Sequence, residues 1–219
     1  IRDAVPLTGE ANAQAASLAQ APVSTPYTGP IVTDGGSLTV ELFFTTPLSP
    51  ADLDAQITLV AQWAGGDNRT FRLNLSDAAD GPDGVDGNDD DDQRYRLTFV
   101  KRQRSNHVFA VNTDLNGAHA DDYTFAPDTV YYVAVVFDNA ADENTFYLQD
   151  LTNGGPLVRK TVAQGFGNWE GGSPGFTTAP VTIGGMRAGE AAFTGVIDEV
   201  RISDSALDAT ELLISAEPG

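Results

Sequence analysis

From Pro30 onward, short apolar stretches recur between clusters of Gly, Pro, Asn and Asp, and that rhythm limits what the chain can fold into. The stretches include SLTVELFF, ITLVAQW, TFRLNLS, YRLTFV, HVFAVN, VYYVAVVF, TFYLQDL, PLVRKTV and PVTIGG. They are too short for amphipathic helices and rich in β-branched and aromatic residues. Several alternate strictly. In YRLTFV, Tyr95, Leu97 and Phe99 share one face, and Arg96 and Thr98 share the other. Many short strands with regular turn signals predict an all-β, two-sheet antiparallel sandwich. Only ALDATELL reads as helical: Asp208 is placed to cap it, with Glu211 three residues on completing a capping box and Leu207 and Leu212 at staple spacing.

The 219 residues hold no internal repeat and suit a single domain with a sizeable core. Residues 9–30, rich in Ala, Pro, Ser and Thr, predict that 1–30 is an N-terminal lead-in segment or linker and that 31–219 is the folded domain. The chain starts at Ile1 without a methionine, which suits a fragment of a longer or processed protein.

A net charge of −19 argues against nucleic acid and anionic membrane surfaces, since both bind by exchanging counterions for a positive protein surface. It suits cations or neutral ligands such as sugars, and equally a surface that is merely soluble. With no cysteine there is neither a disulfide framework nor a thiolate metal site. No apolar run approaches the ~20 residues that span a bilayer, so no membrane insertion is expected of this chain.

Taken together, SLTVELFF (37–44), DTVYYVAVVFD (128–138), NTFYLQD (144–150), VTIGG (181–185) and FTGVIDEVRISDSALDATEL (193–212) resemble the concanavalin A-like lectin/glucanase superfamily in its bacterial laminin-G-like branch. Their order and spacing carry the resemblance from about residue 31 to 215, and the last motif is the most specific. The resemblance implies a jelly roll of two antiparallel sheets, one concave, ending in a short helical turn. It also implies an extracytoplasmic setting and a glycan or surface-protein partner. Where the family has Trp-His before its VAVTYD-like strand, this chain has Tyr131 and Tyr132.

In the last motif, strand alternation puts Asp198 in a row with Val196, Val200 and Ile202, a core row. A buried unpaired carboxylate costs several kcal/mol, so it must be protonated, hydrogen-bonded or bound to a cation. The resemblance implies structural calcium, which relatives hold with the matching aspartate and main-chain carbonyls. Calcium takes such oxygen ligands in flexible geometry. A carboxylate that accepts backbone N–H bonds or pairs with an arginine fits the same position.

The insertion DAADGPDGVDGNDDDDQ (77–93) offers a second calcium candidate, with Asp83, Asp86, Asp89 and Asp91 as ligands. Its glycines let successive carboxylates converge. Aspartates every three residues, however, do not match a helix–loop–helix calcium loop. The basic cluster Arg94, Arg96, Lys101, Arg102 and Arg104 is an alternative neutraliser.

No strand carries the E-x-D-x-(x)-E carboxylates of the superfamily's glycosidases, which need acid and nucleophile about 5 Å apart. TVELFF has Glu41 alone, and VIDEVRI puts Asp198 and Glu199 on opposite faces. His107 and His119 lie in polar, turn-rich context without partners for lyase chemistry. No catalytic residue is therefore assigned. Sugars are held by flat aromatics beside planar polar groups. Trp169 next to Asn168 in a glycine-rich loop, Tyr123 beside Asp121 and Asp122, and Trp63 are the candidates, though Trp63 also suits core or rim packing. The sequence thus predicts a non-catalytic recognition module for glycan or protein, stabilised by calcium. A structural spacer domain or a carbohydrate-active hydrolase or lyase are the alternatives. Oligomeric state is not legible.

Overall fold

The structure is a computed structural model that describes residues 23–25, 31, 36–48, 56–65, 68–77, 95–102, 108–112, 125–163, 179–186 and 192–216. Among these residues the chain forms two antiparallel sheets, as expected. One contains β1 (Val23–Ser24), β10 (Val181–Ile183), β3 (Gln56–Gly65), β4 (Asn68–Asp77), β5 (Tyr95–Arg102) and β6 (Val108–Asn112), in that spatial order. The other runs β11 (Val196–Ser203), β2 (Leu38–Thr45), β7 (Tyr131–Asp138), β8 (Glu143–Asp150) and β9 (Val158–Ala163). Val23 and Ser24, in the stretch expected as a lead-in, pair with Ile183 and Thr182 at the sheet edge.

Alternation decides the core. Leu38, Val40, Leu42 and Phe44 of β2 meet Tyr131, Val133, Val135 and Phe137 of β7 and Phe146 and Leu148 of β8 on the inner face. Opposite them stand Phe71, Leu73, Leu75, Leu97 and Phe99 of β4 and β5. Each such side chain contributes about 1.5–3 kcal/mol on burial. Phe44 anchors one end, its ring 5.7 Å from Tyr131 and 5.9 Å from Phe193.

The outer face of the five-stranded sheet is apolar too, because the chain's end covers it. Tyr132, Ala134, Val136 and Tyr147 pack against Leu207, Leu212, Leu213 and Ile214. The expected helix is instead two 3-10 turns, Ala209–Glu211 and Leu213–Ala216. Glu211 accepts the Asp208 N–H at 2.9 Å, the carboxylate half of a capping box. Leu207 and Leu212 both face the sheet, so tertiary packing rather than helix length fixes this segment.

Asp198 is not in the core row. Between Asp198 (opposite Phe43) and Arg201 (opposite Glu41), β11 uses three steps where β2 uses two, a β-bulge. Glu199 absorbs it with φ 47°, a left-handed conformation that costs a side-chain-bearing residue about 1–2 kcal/mol. The extra residue shifts the phase of the strand: Ile197 faces inward before it, Val200 and Ile202 after it. Val196 and Asp198 therefore point outward, and the desolvation argument for a cation at Asp198 falls away.

Candidate functional site: a groove at the β2–β11 edge

The bulge and a glycine shape one end of the outer face. Gly195 enters β11 at φ 145°, so close to β2 that a Cβ built there would lie 2.1 Å from the Thr45 carbonyl oxygen. Only glycine permits that approach. Val196 then pairs with Thr45 and Asp198 with Phe43, with their side chains outward. Val130 reaches the same place from the turn before β7, its N–H donating to Thr152 Oγ1 at 2.9 Å and its carbonyl accepting from Leu151 N–H at 2.9 Å.

Phe43, Phe44, Thr45, Val130, Val196, Asp198 and Glu199 thus line a groove of about 330 Å³. Val130 and Val196 are 39% and 36% exposed, so the groove presents apolar side chains to solvent. Asp198 Oδ1 accepts the Glu199 N–H at 2.9 Å, which fixes that carboxylate at the rim. The groove has an apolar floor and an acidic rim. It can seat an aliphatic stem or the C–H face of a sugar, with hydroxyls or a cation at the carboxylates.

The clamp that Asp198 was expected to provide is made by Glu41, three residues along β2 from Phe44 and wholly buried. Arg201 Nε and Nη2 both reach Glu41 Oε1, while Tyr132 Oη and the Leu213 N–H each donate to Oε2 at 2.7 Å. Burial, and then the Glu41 charge, hold the Tyr132 phenol far above its usual range, so it stays a donor. Arg201 also donates to the Glu211 carbonyl at 2.5 Å. One carboxylate therefore joins β2, β7, β11 and the C-terminal turns. Sequence reasoning met Glu41 only as a missing catalytic pair. The available signal was a lone acid on the outer face of an apolar strand in a chain with a single arginine in its last motif.

Of the other sequence candidates, Trp63 is 8% exposed on the outer face of the six-stranded sheet, packed with Ala61, Val100 and Met186. The Arg72 guanidinium lies 5.0 Å from its ring centroid, so Trp63 takes the packing role left open for it. Trp169, Asn168, Tyr123, Asp83, Asp86, Asp89 and Asp91 lie outside the described residues, as do His107 and His119. Among the described residues, no three His, Asp or Glu side chains come together as a metal-holding group, and no helix is long and apolar enough to cross a membrane.

Two facing antiparallel sheets with an open groove at one sheet edge make this a lectin-like β-sandwich. The chain belongs to the Concanavalin A-like lectin/glucanases superfamily: its Laminin_G_3 family model matches residues 19–213. No curated protein matches the chain in sequence. Among solved structures, the enzymatically active domain of bacteriophage CBA120 tailspike protein 2 is similar with a TM-score of 0.57 and 13% identity, over 89% of this chain and 27% of that one. The receptor binding domain of botulinum neurotoxin D is similar with a TM-score of 0.52 and 8% identity, over 92% of this chain and 42% of that one. The chain therefore spans less than half of either, and at these identities the likeness is one of fold.

Proposed function

We propose that this chain is a non-catalytic extracytoplasmic recognition module that binds a glycan or a protein through the Phe43–Val130–Val196 groove, with calcium as a stabilising ion. The observation that carries the reading is the groove itself, with two exposed valines beside two carboxylates. A featureless spacer has no use for an apolar floor that costs solvation. The state of Glu41 supports a non-catalytic role, because its carboxylate is buried and occupied by Arg201, Tyr132 and Leu213. Asp198, at the rim rather than in the core, offers its carboxylate to a calcium ion that bridges protein and ligand.

Glycan arrays and a surface-display library supply the ligand. Val196→Lys puts a cation on the floor, and Asp198→Asn removes a rim charge. Each is expected to weaken binding at least tenfold and leave the far-ultraviolet circular dichroism unchanged. Full affinity in both variants would remove the groove from consideration.

Calcium is tested separately by the thermal midpoint with calcium and with EDTA, in wild type and in Asp198→Ala. An ion bound only by the folded chain adds about 2.7 kcal/mol at a hundredfold excess over its dissociation constant. The expected result is a midpoint that calcium raises in wild type and not in the variant. A wild-type midpoint indifferent to both additions ends the calcium assignment.

A further inference from the structure

Near the turn that joins β7 to β8, three polar side chains, Lys101, Asn144 and Asp142, are grouped around Phe137, where the core should be apolar. Lys101 of β5 is the register partner of Phe71, and like it faces inward, with only 1% of its surface exposed. Its Nζ stands 3.9 Å from the centroid of the Phe137 ring. Phe137 is in turn the register partner of Asn144 on β8. Asn144 points inward with Phe146 and Leu148, since the three alternate along the strand, and it is wholly buried. Neither its Oδ1 nor its Nδ2 has a hydrogen-bond partner. Asp142 sits in the turn two residues earlier at φ 54°, its Oδ1 buried and also without a hydrogen-bond partner, and its charge acts on Lys101.

A buried primary amide that makes no hydrogen bond is a costly group to keep. Cross-strand neighbours stand about 4.5–5.5 Å apart at Cβ, so an amine over the Phe137 ring lies within one side chain of the Asn144 amide, although the two are not hydrogen-bonded. Desolvation lowers the Lys101 ammonium to about 8 against the opposing pull of Asp142, which supplies free amine near neutral pH. The amine is a nucleophile, the amide carbon an electrophile, and the carboxylate beside them a proton carrier, in a water-poor space where juxtaposition itself accelerates reaction.

We propose that Lys101 Nζ and Asn144 Cγ join as an intramolecular amide, with Asp142 moving the proton. Asp142 takes a proton from the ammonium, and the amine adds to Cγ to form the C–N bond. Asp142 hands that proton to the original amide nitrogen and takes the second amine proton from the newly bonded nitrogen. The bond from Cγ to the original nitrogen then breaks, and that nitrogen leaves as ammonia, which carries the last proton away from Asp142 as ammonium. One ammonia is released, and no oxidant, nucleotide or cofactor is consumed. The product is neutral, so the interior loses a buried charge and an unsatisfied amide together. The bond ties the six-stranded sheet to the five-stranded one in a chain that has no cysteine to do so.

The test is the intact mass of the folded full chain, followed by peptide mapping. Wild type should be lighter than its sequence by one ammonia, with the peptides holding Lys101 and Asn144 joined. Asp142→Asn, which keeps the size and tolerates the left-handed turn, should have native circular dichroism, full mass and a lower melting midpoint. Lys101→Met should also show full mass. A folded wild type of full mass overturns the proposal, as does an ammonia loss that maps elsewhere, for instance to a succinimide at Asn153 or Asn116 before glycine. A linked Asp142→Asn chain overturns the role given to Asp142.

Discussion

Arg201→Met should destabilise the fold by about 3–5 kcal/mol in chemical denaturation, the cost of leaving a buried charge without its partner. Methionine keeps most of the stem's packing, so the loss reports the guanidinium. Glu41 would then be a fully buried carboxylate supported only by the Tyr132 hydroxyl and the Leu213 N–H. Arg201 itself is 27% exposed, so water can partly replace it, which favours the lower end of the range. The second variant in the cycle is Glu41→Gln, which is expected to be destabilised as well because a neutral amide pairs poorly with the guanidinium. In the double variant neither charge is left alone, and the two losses should sum to less than their separate values. Strict additivity would mean that the pair contributes nothing as a pair. Because the clamp also holds the C-terminal turns through Leu213 and the Glu211 carbonyl, Arg201→Met should raise amide exchange at Leu212 and Leu213 before it does so in β7.

Gly195→Ala is expected to be the more disruptive single change near the groove. Its added carbon would lie 2.1 Å from the Thr45 carbonyl oxygen and 2.9 Å from the Phe193 ring, and the backbone oxygen cannot swing away as a side chain can. The start of β11 must therefore separate from β2, with loss of about 3 kcal/mol or more. The groove opens with it, since Val196 and Asp198 follow directly. Gly154→Ala is the control: its φ of 66° also favours glycine, but the space around it is open. That change should cost only about 1–2 kcal/mol and leave the groove intact. Equal losses in the two variants would show that the close approach at Gly195 is not the cause.

The strands were legible because side-chain alternation is a local signal, and 37–44, 128–138 and 144–150 all fell where their pattern put them. The same signal misplaced Asp198. A period of two carries no mark of an inserted residue, and Glu199 at the bulge is neither glycine nor asparagine, the usual signs of a left-handed position. The clamp was hidden for another reason: Glu41 and Arg201 are 160 residues apart, and only the β2–β11 pairing brings them together. Lys101 ends a run whose alternation, Leu97, Phe99, Lys101, already placed it indoors. A lysine at a strand end reads as solvated until the opposite sheet is in place. The groove was out of reach because Val130 joins it from a turn far from β11 in sequence.

The bulge in β11 has a further consequence. Among the described residues β11 pairs with β2 alone, so within that set its other side is a sheet edge, a template on which a second chain could add a strand. The kink at Glu199 breaks the spacing such an addition requires, and Asp198 and Glu199 would set like charges side by side between two stacked copies. The residues that shape the groove thus also deny that edge to fibril growth.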